Sequence, residues 1–137
     1  MRVLVLDSEA ISRLARRRED GALRMVQVAL KASREEGDDV VTPAAVLAEQ
    51  YRGGRHDQLI DACLGRYGGI RVVETTRALA RRIGNILARA GQGSADHVDA
   101  TVVAVASLAD QATIITSDPR DMSALVGDLP GIRVVPI

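Results

Sequence analysis

The stretch Arg2-Val3-Leu4-Val5-Leu6-Asp7-Ser8 is an unbroken apolar run, rich in branched side chains, that stops at a carboxylate. A run with no polar alternation belongs to a strand covered on both faces, as in parallel sheets. Directly after it, Ser8-Glu9-Ala10-Ile11-Ser12-Arg13-Leu14-Ala15 changes to helical spacing, with Asp7 or Ser8 as N-cap. A buried strand passing at once into a helix is the opening of a βαβ unit, and parallel strands need such crossovers.

The same alternation continues along the chain. After the charged break Arg16 to Gly21, a second helix runs to about Glu36, and Gly37-Asp38-Asp39 forms a turn. Val40-Val41 reads as a short strand, and Thr42-Pro43 as N-cap and N1 of a helix that carries Glu49 and fades at Arg52-Gly53-Gly54. Another helix is expected from about Asp57 to Tyr67 and a strand at Ile70 to Val73. Thr75 then caps a long helix ending near Ala90-Gly91. A helix from about Asp96 to Asp110, the strand Thr113 to Thr116, a short helix opened by Pro119 and a last strand at Ile132 to Val135 complete the series. The predicted class is α/β: one domain over residues 1–137, with a mostly parallel central sheet of about five strands flanked by helices. No internal repeat, low-complexity tract or linker interrupts it.

Composition narrows the function classes. A chain of 137 residues can bury a real core, but it has no Phe, no Trp and only Tyr51 and Tyr67. The core must therefore be aliphatic, and base-stacking platforms of the kind used by single-strand binders are excluded. Formal net charge is zero, so nothing draws the whole molecule to nucleic acid. Lys31 is the only lysine among 18 basic residues, a bias that genome composition explains as readily as phosphate binding. Two arginine clusters stand out: Arg13, Arg16, Arg17 and Arg18, and Arg77, Arg81 and Arg82. Both fit phosphate contacts, and both fit solvated helix faces or ion pairs. The lone Cys63 rules out an internal disulfide and reads as a small buried hydrophobe on a helix. No signal peptide or apolar span of membrane length is visible, so a cytoplasmic protein without membrane contact is expected.

Four acids lie where strand-like runs stop or helices begin: Asp7, Glu49, Asp99 and Asp118. Open parallel sheets place ligand sites beyond the carboxyl ends of their strands, where strand order reverses. Asp7 follows the first strand, Asp118 follows Thr113 to Thr116 by one residue, and Asp99 sits in the first turn of the helix leading into that strand. Clustered carboxylates are costly unless a cation neutralises them, and hard ions such as Mg²⁺ take oxygen ligands of this kind. Each acid also has a structural explanation. Asp7 fits a helix cap, and so does Asp118 ahead of Pro119 with Asp121 at N3. Asp96 followed by Asp99 resembles a capping box, and Glu49 fits a solvated side chain. His56 and His97 lack partners at zinc-like spacing, and Gly91-Gln92-Gly93 follows a helix, so it is no dinucleotide fingerprint.

Taken in order, these segments resemble the PIN-domain nucleases, and among them the VapC-like toxins of type II VapBC toxin–antitoxin pairs. Leu6-Asp7-Ser8 is similar to the family's opening motif, and Thr42-Pro43 through Ala48-Glu49 to the segment carrying its glutamate. Asp99-Ala100-Thr101-Val102-Val103-Ala104-Val105-Ala106 resembles its Asp-Ala helix, and Thr116-Ser117-Asp118 with Asp121 its final acidic motif. The resemblance covers essentially the whole chain. It selects Asp99 over Asp96 as the main ligand, leaving Asp96 and Asp121 as outer helpers. Glu9 departs from the small polar residue common there, and Met122 from the Phe that often follows the last acid; neither change removes a ligand.

The resemblance implies a Mg²⁺- or Mn²⁺-dependent endoribonuclease. Asp7 and Asp99 would hold the metal most directly, and Glu49 and Asp118 would complete the pocket. Ser8 and Thr116 would hydrogen-bond the carboxylates. It also implies an RNA substrate, a VapB-like antitoxin that wraps the toxin, and a homodimer. Two other readings compete: a catalytically silent PIN-like scaffold for RNA or protein partners, and a receiver-type signalling domain. The receiver reading needs an Asp after the third strand and a lysine near the last, where this chain has Glu74 and no lysine.

Overall fold

A computed structural model describes residues 1–137. Five strands form one sheet: β1 (Arg2–Leu6), β2 (Asp39–Pro43), β3 (Arg71–Val73), β4 (Gln111–Thr116) and β5 (Ile132–Pro136). Their order is β3-β2-β1-β4-β5, and every pairing is parallel. The helices are α1 (Ser8–Arg16), α2 (Gly21–Glu35), α3 (Ala44–Gln50), α4 (Gly54–Gly65), α5 (Arg77–Ala90), α6 (His97–Ala106) and α7 (Pro119–Val126). A short 3₁₀ turn, Ser94–Asp96, precedes α6.

The opening run sits where its apolarity demands. β1 is the central strand, and Val3, Leu4, Val5 and Leu6 are all buried. α1, α2 and α4 pack together, as do α5, α6 and α7, and both groups touch the sheet around β1. A strand buried on both sides therefore separates two helical layers. Between the layers one apolar core extends, built from Leu, Ile, Val and Ala with Met122 and Cys63, as the lack of Phe and Trp requires. Each fully buried Leu or Ile contributes roughly 1.5–3 kcal/mol relative to exposure. α6 is apolar on every side, and Ala100 through Ala106 are all buried, because α5, α7 and the sheet enclose it. Edge strand β5 is only partly buried and ends at Pro136, where a missing amide costs no ladder bond.

Several boundaries differ from the sequence expectations, for local reasons. β2 continues through Thr42 and Pro43, because Thr42 pairs with Val72 and Pro43 with Val73. The helix expected to start at Pro43 starts at Ala44, with no side-chain cap. Thr76 rather than Thr75 caps α5, accepting from the Leu79 amide at 3.1 Å. α4 begins at Gly54, and Asp57 accepts from the amides of Arg52 and Gly53 at 2.8 and 2.9 Å instead of heading the helix. α6 stops at Ala106, where the Ser107 hydroxyl donates to the Ala104 carbonyl, and β4 starts two residues earlier than its apolar run.

Gly131 is irreplaceable where β5 begins. Its φ is +75°, and a Cβ there would fall inside van der Waals contact of the Asp110 carbonyl oxygen. Its own carbonyl accepts from the Ala112 amide, starting the β4–β5 ladder. Gly91 has a similar φ of +68° at the end of α5 but open space around it. Gly131→Ala is thus expected to lower unfolding free energy by roughly 2–4 kcal/mol and Gly91→Ala by about 1 kcal/mol in urea titrations. Equal effects would show that the close approach does not matter.

Candidate functional site: a carboxylate mouth at the strand-order switch

The chain leaves β1 for β2 and β3 on one side, then crosses to β4 and β5 on the other, so strand order reverses between β1 and β4. Asp7 and Asp118 follow the carboxyl ends of these two strands, with Leu6 paired to Ile115 just before them. The Asp7 amide donates to the Ile115 carbonyl at 3.1 Å, which carries the β1–β4 pairing up to the acid itself.

A continuous hydrogen-bonded chain then ties three of the acids together. The Asp118 amide donates to Thr116 Oγ1 at 3.0 Å, and that hydroxyl donates to Asp7 Oδ2 at 2.8 Å. Asp7 Oδ1 accepts from the Ser8 amide at 2.7 Å, and Ser8 Oγ donates to Glu49 Oε1 at 2.6 Å. Asp7 is 7% exposed and Thr116 fully buried, whereas Glu49 and Asp118 are exposed at the rim. Asp7 is therefore both the N-cap of α1 and a site acid. Asp118 and Asp96 precede their helices without making any side-chain cap bond, and the Ser8 bond gives Glu49 a fixed partner.

Asp99 belongs to the same cluster but has no hydrogen bond. Burial first, then the charges of Asp7, Asp118, Glu49 and Asp96, push its carboxyl up to about 6. Asp7 is also raised, by burial above all, yet the Thr116 and Ser8 hydrogen bonds oppose the shift. Asp121 is exposed and raised chiefly by the charge of Asp118, with Asp96 contributing. These mutual effects bring Asp7, Glu49, Asp96, Asp99, Asp118 and Asp121 to one electrostatic site. None of the molecule's seven ion pairs reaches any of these six acids. The positive ends of α1, α6 and α7 face the cluster and offset part of its charge.

The donor set is all oxygen, which suits a hard cation rather than zinc. No three acids are already drawn into a closed chelate. That arrangement still fits Mg²⁺, which commonly takes one or two carboxylates and keeps several waters. His97 is exposed beside Asp96, and His56 contacts the Gln50 carbonyl at 2.7 Å, so neither histidine completes a chelate with these acids. A depression of about 690 Å³ lies elsewhere, between α2 and β5 at the amino ends of β1 and β4, and none of the six acids lines it.

Sequence reading missed one positioning residue. Thr42 is fully buried, and its hydroxyl donates to the Leu6 carbonyl at 2.9 Å, fixing the end of β1 immediately before Asp7. A threonine directly after Val40-Val41 signalled strand continuation as much as a cap. The arginine clusters have different fates. Arg13 is committed to Glu9 and Asp20 at 2.7 and 2.5 Å, while Arg77, Arg81 and Arg82 form no ion pair. Cys63 is buried on α4, as expected.

An α/β sheet with unpaired carboxylates at its switch point defines a class of oxygen-donor, acid-lined sites. The sequence profile of the PIN domain family matches residues 4–126, and the chain belongs to that family. Among solved structures, it is similar to VapBC2 from Rickettsia felis bound to a DNA fragment from their promoter. The TM-score is 0.65 at 13% identity, covering 98% of each chain. It is likewise similar to DNA-bound VapBC from Salmonella typhimurium, with TM-score 0.62 at 17% identity, covering 99% of this chain and 98% of the other. At these identities the likeness establishes the fold. No curated protein matches the sequence. No helix is long and apolar enough to cross a membrane.

The raised Asp99 carboxyl has a stability consequence. Its folded value of about 6 exceeds an unfolded value near 3.9, so the folded state binds the extra proton between those limits. Its contribution to stability therefore falls as pH rises through that window and levels off above about 6. In metal-free thermal melts, Asp99→Asn should match the wild type near pH 4 and melt higher above about pH 6. A difference independent of pH would contradict this origin.

Proposed function

We propose that this protein, with residues 1–137 acting as one unit, is a divalent-cation-dependent endoribonuclease and the toxin of a toxin–antitoxin pair. The observation that carries the reading is the convergence at the β1–β4 switch point of Asp7, Glu49 and Asp118, linked by hydrogen bonds, with Asp99 beside them and no ion pair to any of the four. PIN family membership supports nuclease chemistry, and the fold shared with VapBC structures supports the toxin role.

Asp7 and Asp99 are the direct ligands in this reading, one fixed by hydrogen bonds and the other free to adjust. A bound Mg²⁺ or Mn²⁺ would supply the positive charge that draws in the scissile phosphate and acidifies water beside it. Glu49, aimed by Ser8, and Asp118, whose backbone is held by Thr116, orient that water for attack on phosphorus. The water oxygen bonds to phosphorus, the ribose oxygen leaves, and the proton released from water returns to the leaving oxygen. Ser8 and Thr116 act before the reaction: they fix the carboxylate planes, so little reorganisation remains. Asp96 and Asp121 add negative charge around the ligands. The same reading assigns a VapB-like antitoxin that presents a cation to the acidic mouth, a homodimer, and action in the cytoplasm.

The test is incubation of antitoxin-free protein with total RNA and Mg²⁺ or Mn²⁺. Discrete cleavage that disappears in EDTA, and falls at least ~10³-fold in Asp99→Asn with its fold intact, is the expected result. Undiminished cleavage by Asp99→Asn would remove the site assignment. A folded wild type that leaves every RNA intact would favour the silent scaffold.

A further inference from the structure

The acidic mouth poses a problem for any RNA-cleaving reading. Six carboxylates, none in an ion pair and only Asp121 with an arginine charge, that of Arg120, acting on it, repel a phosphate backbone, and the molecule's net charge of zero gives no general attraction. Substrate must be gripped by basic groups somewhere else on the surface. We propose that a groove along α5, at the carboxyl ends of α6 and α7, is a second binding site that takes the phosphate backbone of the substrate RNA; this rests on the nuclease reading above.

The groove encloses about 470 Å³ and is lined by Arg81, Arg82, Asn85, Arg89 and Ser107 among others, with no acid in its wall. Arg81, Arg82, Asn85 and Arg89 recur at helical spacing, so one face of α5 presents them in a row. From Arg81 to Arg89 the row is about 12 Å long, enough for successive phosphates of one strand. Two of its arginines are already oriented. Arg82 Nη1 donates to Ser107 Oγ at 3.2 Å, and Arg89 Nη2 donates to the Leu125 carbonyl at 3.0 Å, where α7 ends. Each bond uses one nitrogen of the guanidinium fork and leaves other N–H groups for a ligand. Arg81 is exposed with no partner at all. The one acid that pairs with this row is Asp128, 4.0 Å from Arg89 and almost fully exposed, so solvent screens it.

The lining favours phosphate over an acidic peptide. Protein partners anchor in apolar pockets, whereas here Ile86 is itself buried and only Ala78 and Leu129 offer apolar contact. Forked guanidinium groups and an amide match phosphate oxygens. The groove also lies by the carboxyl end of α6, about 12 Å along that helix from Asp99. RNA held there must extend beyond the groove to reach the mouth.

The test is binding of labelled transfer RNA in EDTA, measured against salt concentration, with Arg81→Ala and Arg81→Lys, and Arg24→Ala on α2 as a control. Arg81→Ala should bind roughly tenfold more weakly. Its salt slope should be shallower by about 0.7–0.9. Arg81→Lys should recover most of both, and Arg24→Ala should behave as wild type. Unchanged affinity and slope in Arg81→Ala, with Mg²⁺-dependent cleavage intact, would overturn the groove and leave the nuclease standing. Wild type that neither binds nor cleaves RNA would overturn both. Displacement of the RNA by polyglutamate at equal charge concentration would assign the groove to an acidic polypeptide and overturn the proposal.

Discussion

The carboxylate of Asp7 is anchored in the crease between β1 and β4, with Thr116 on one oxygen and the Ser8 amide on the other. Both contacts depend on the sheet. Thr116 ends β4, Ser8 opens α1, and the β1–β4 register sets the two strand ends level. Thr42 fixes the preceding carbonyl from the opposite side of β1. A buried acid would ordinarily be neutralised by protonation or by a base. Here hydrogen bonds partly offset burial, and no lysine or arginine approaches. Everything around the mouth follows from keeping that charge in place.

Asp99 shows what happens without such tethers. It lies in the first turn of a helix whose following residues, Ala100 to Ala106, are all buried, close to the same acids, and its carboxyl rises to about 6. Burial first and then neighbouring charges raise both acids, hydrogen bonds oppose the shift only at Asp7, and arrival of a cation would relieve both costs. If the chain cleaves RNA, repulsion within the mouth moves the task of holding the substrate onto other surfaces, and the proposed arginine row on α5 would be separate from the chemistry at the strand ends.

Much of this was legible in the sequence. Uninterrupted apolar runs at Arg2–Leu6 and within Gln111–Thr116 gave buried parallel strands, and acids directly after them gave the edge where they meet. Thr116 and Ser8 could be named as partners because they adjoin the acids. Thr42 could not, because a threonine before proline carries the signature of a helix cap, and only pairing with Val72 keeps it in the strand. Thr75 and Thr76 are indistinguishable by type, and the Leu79 amide selects between them. Arg89 escaped the basic clusters because it is separated from Arg82 by two helical turns that fold onto one face.

If the mouth is a cation site, binding relieves its charge and displaces protons. Calorimetric titration of the metal-free protein with Mn²⁺, in two buffers of different ionisation heat near pH 6, reads both at once. Wild type should bind with net proton release, from Asp99 above all, and Asp99→Asn should bind much more weakly and release fewer protons. Binding of equal strength and equal proton release in both proteins, or no binding in either, would contradict a cation site at the mouth.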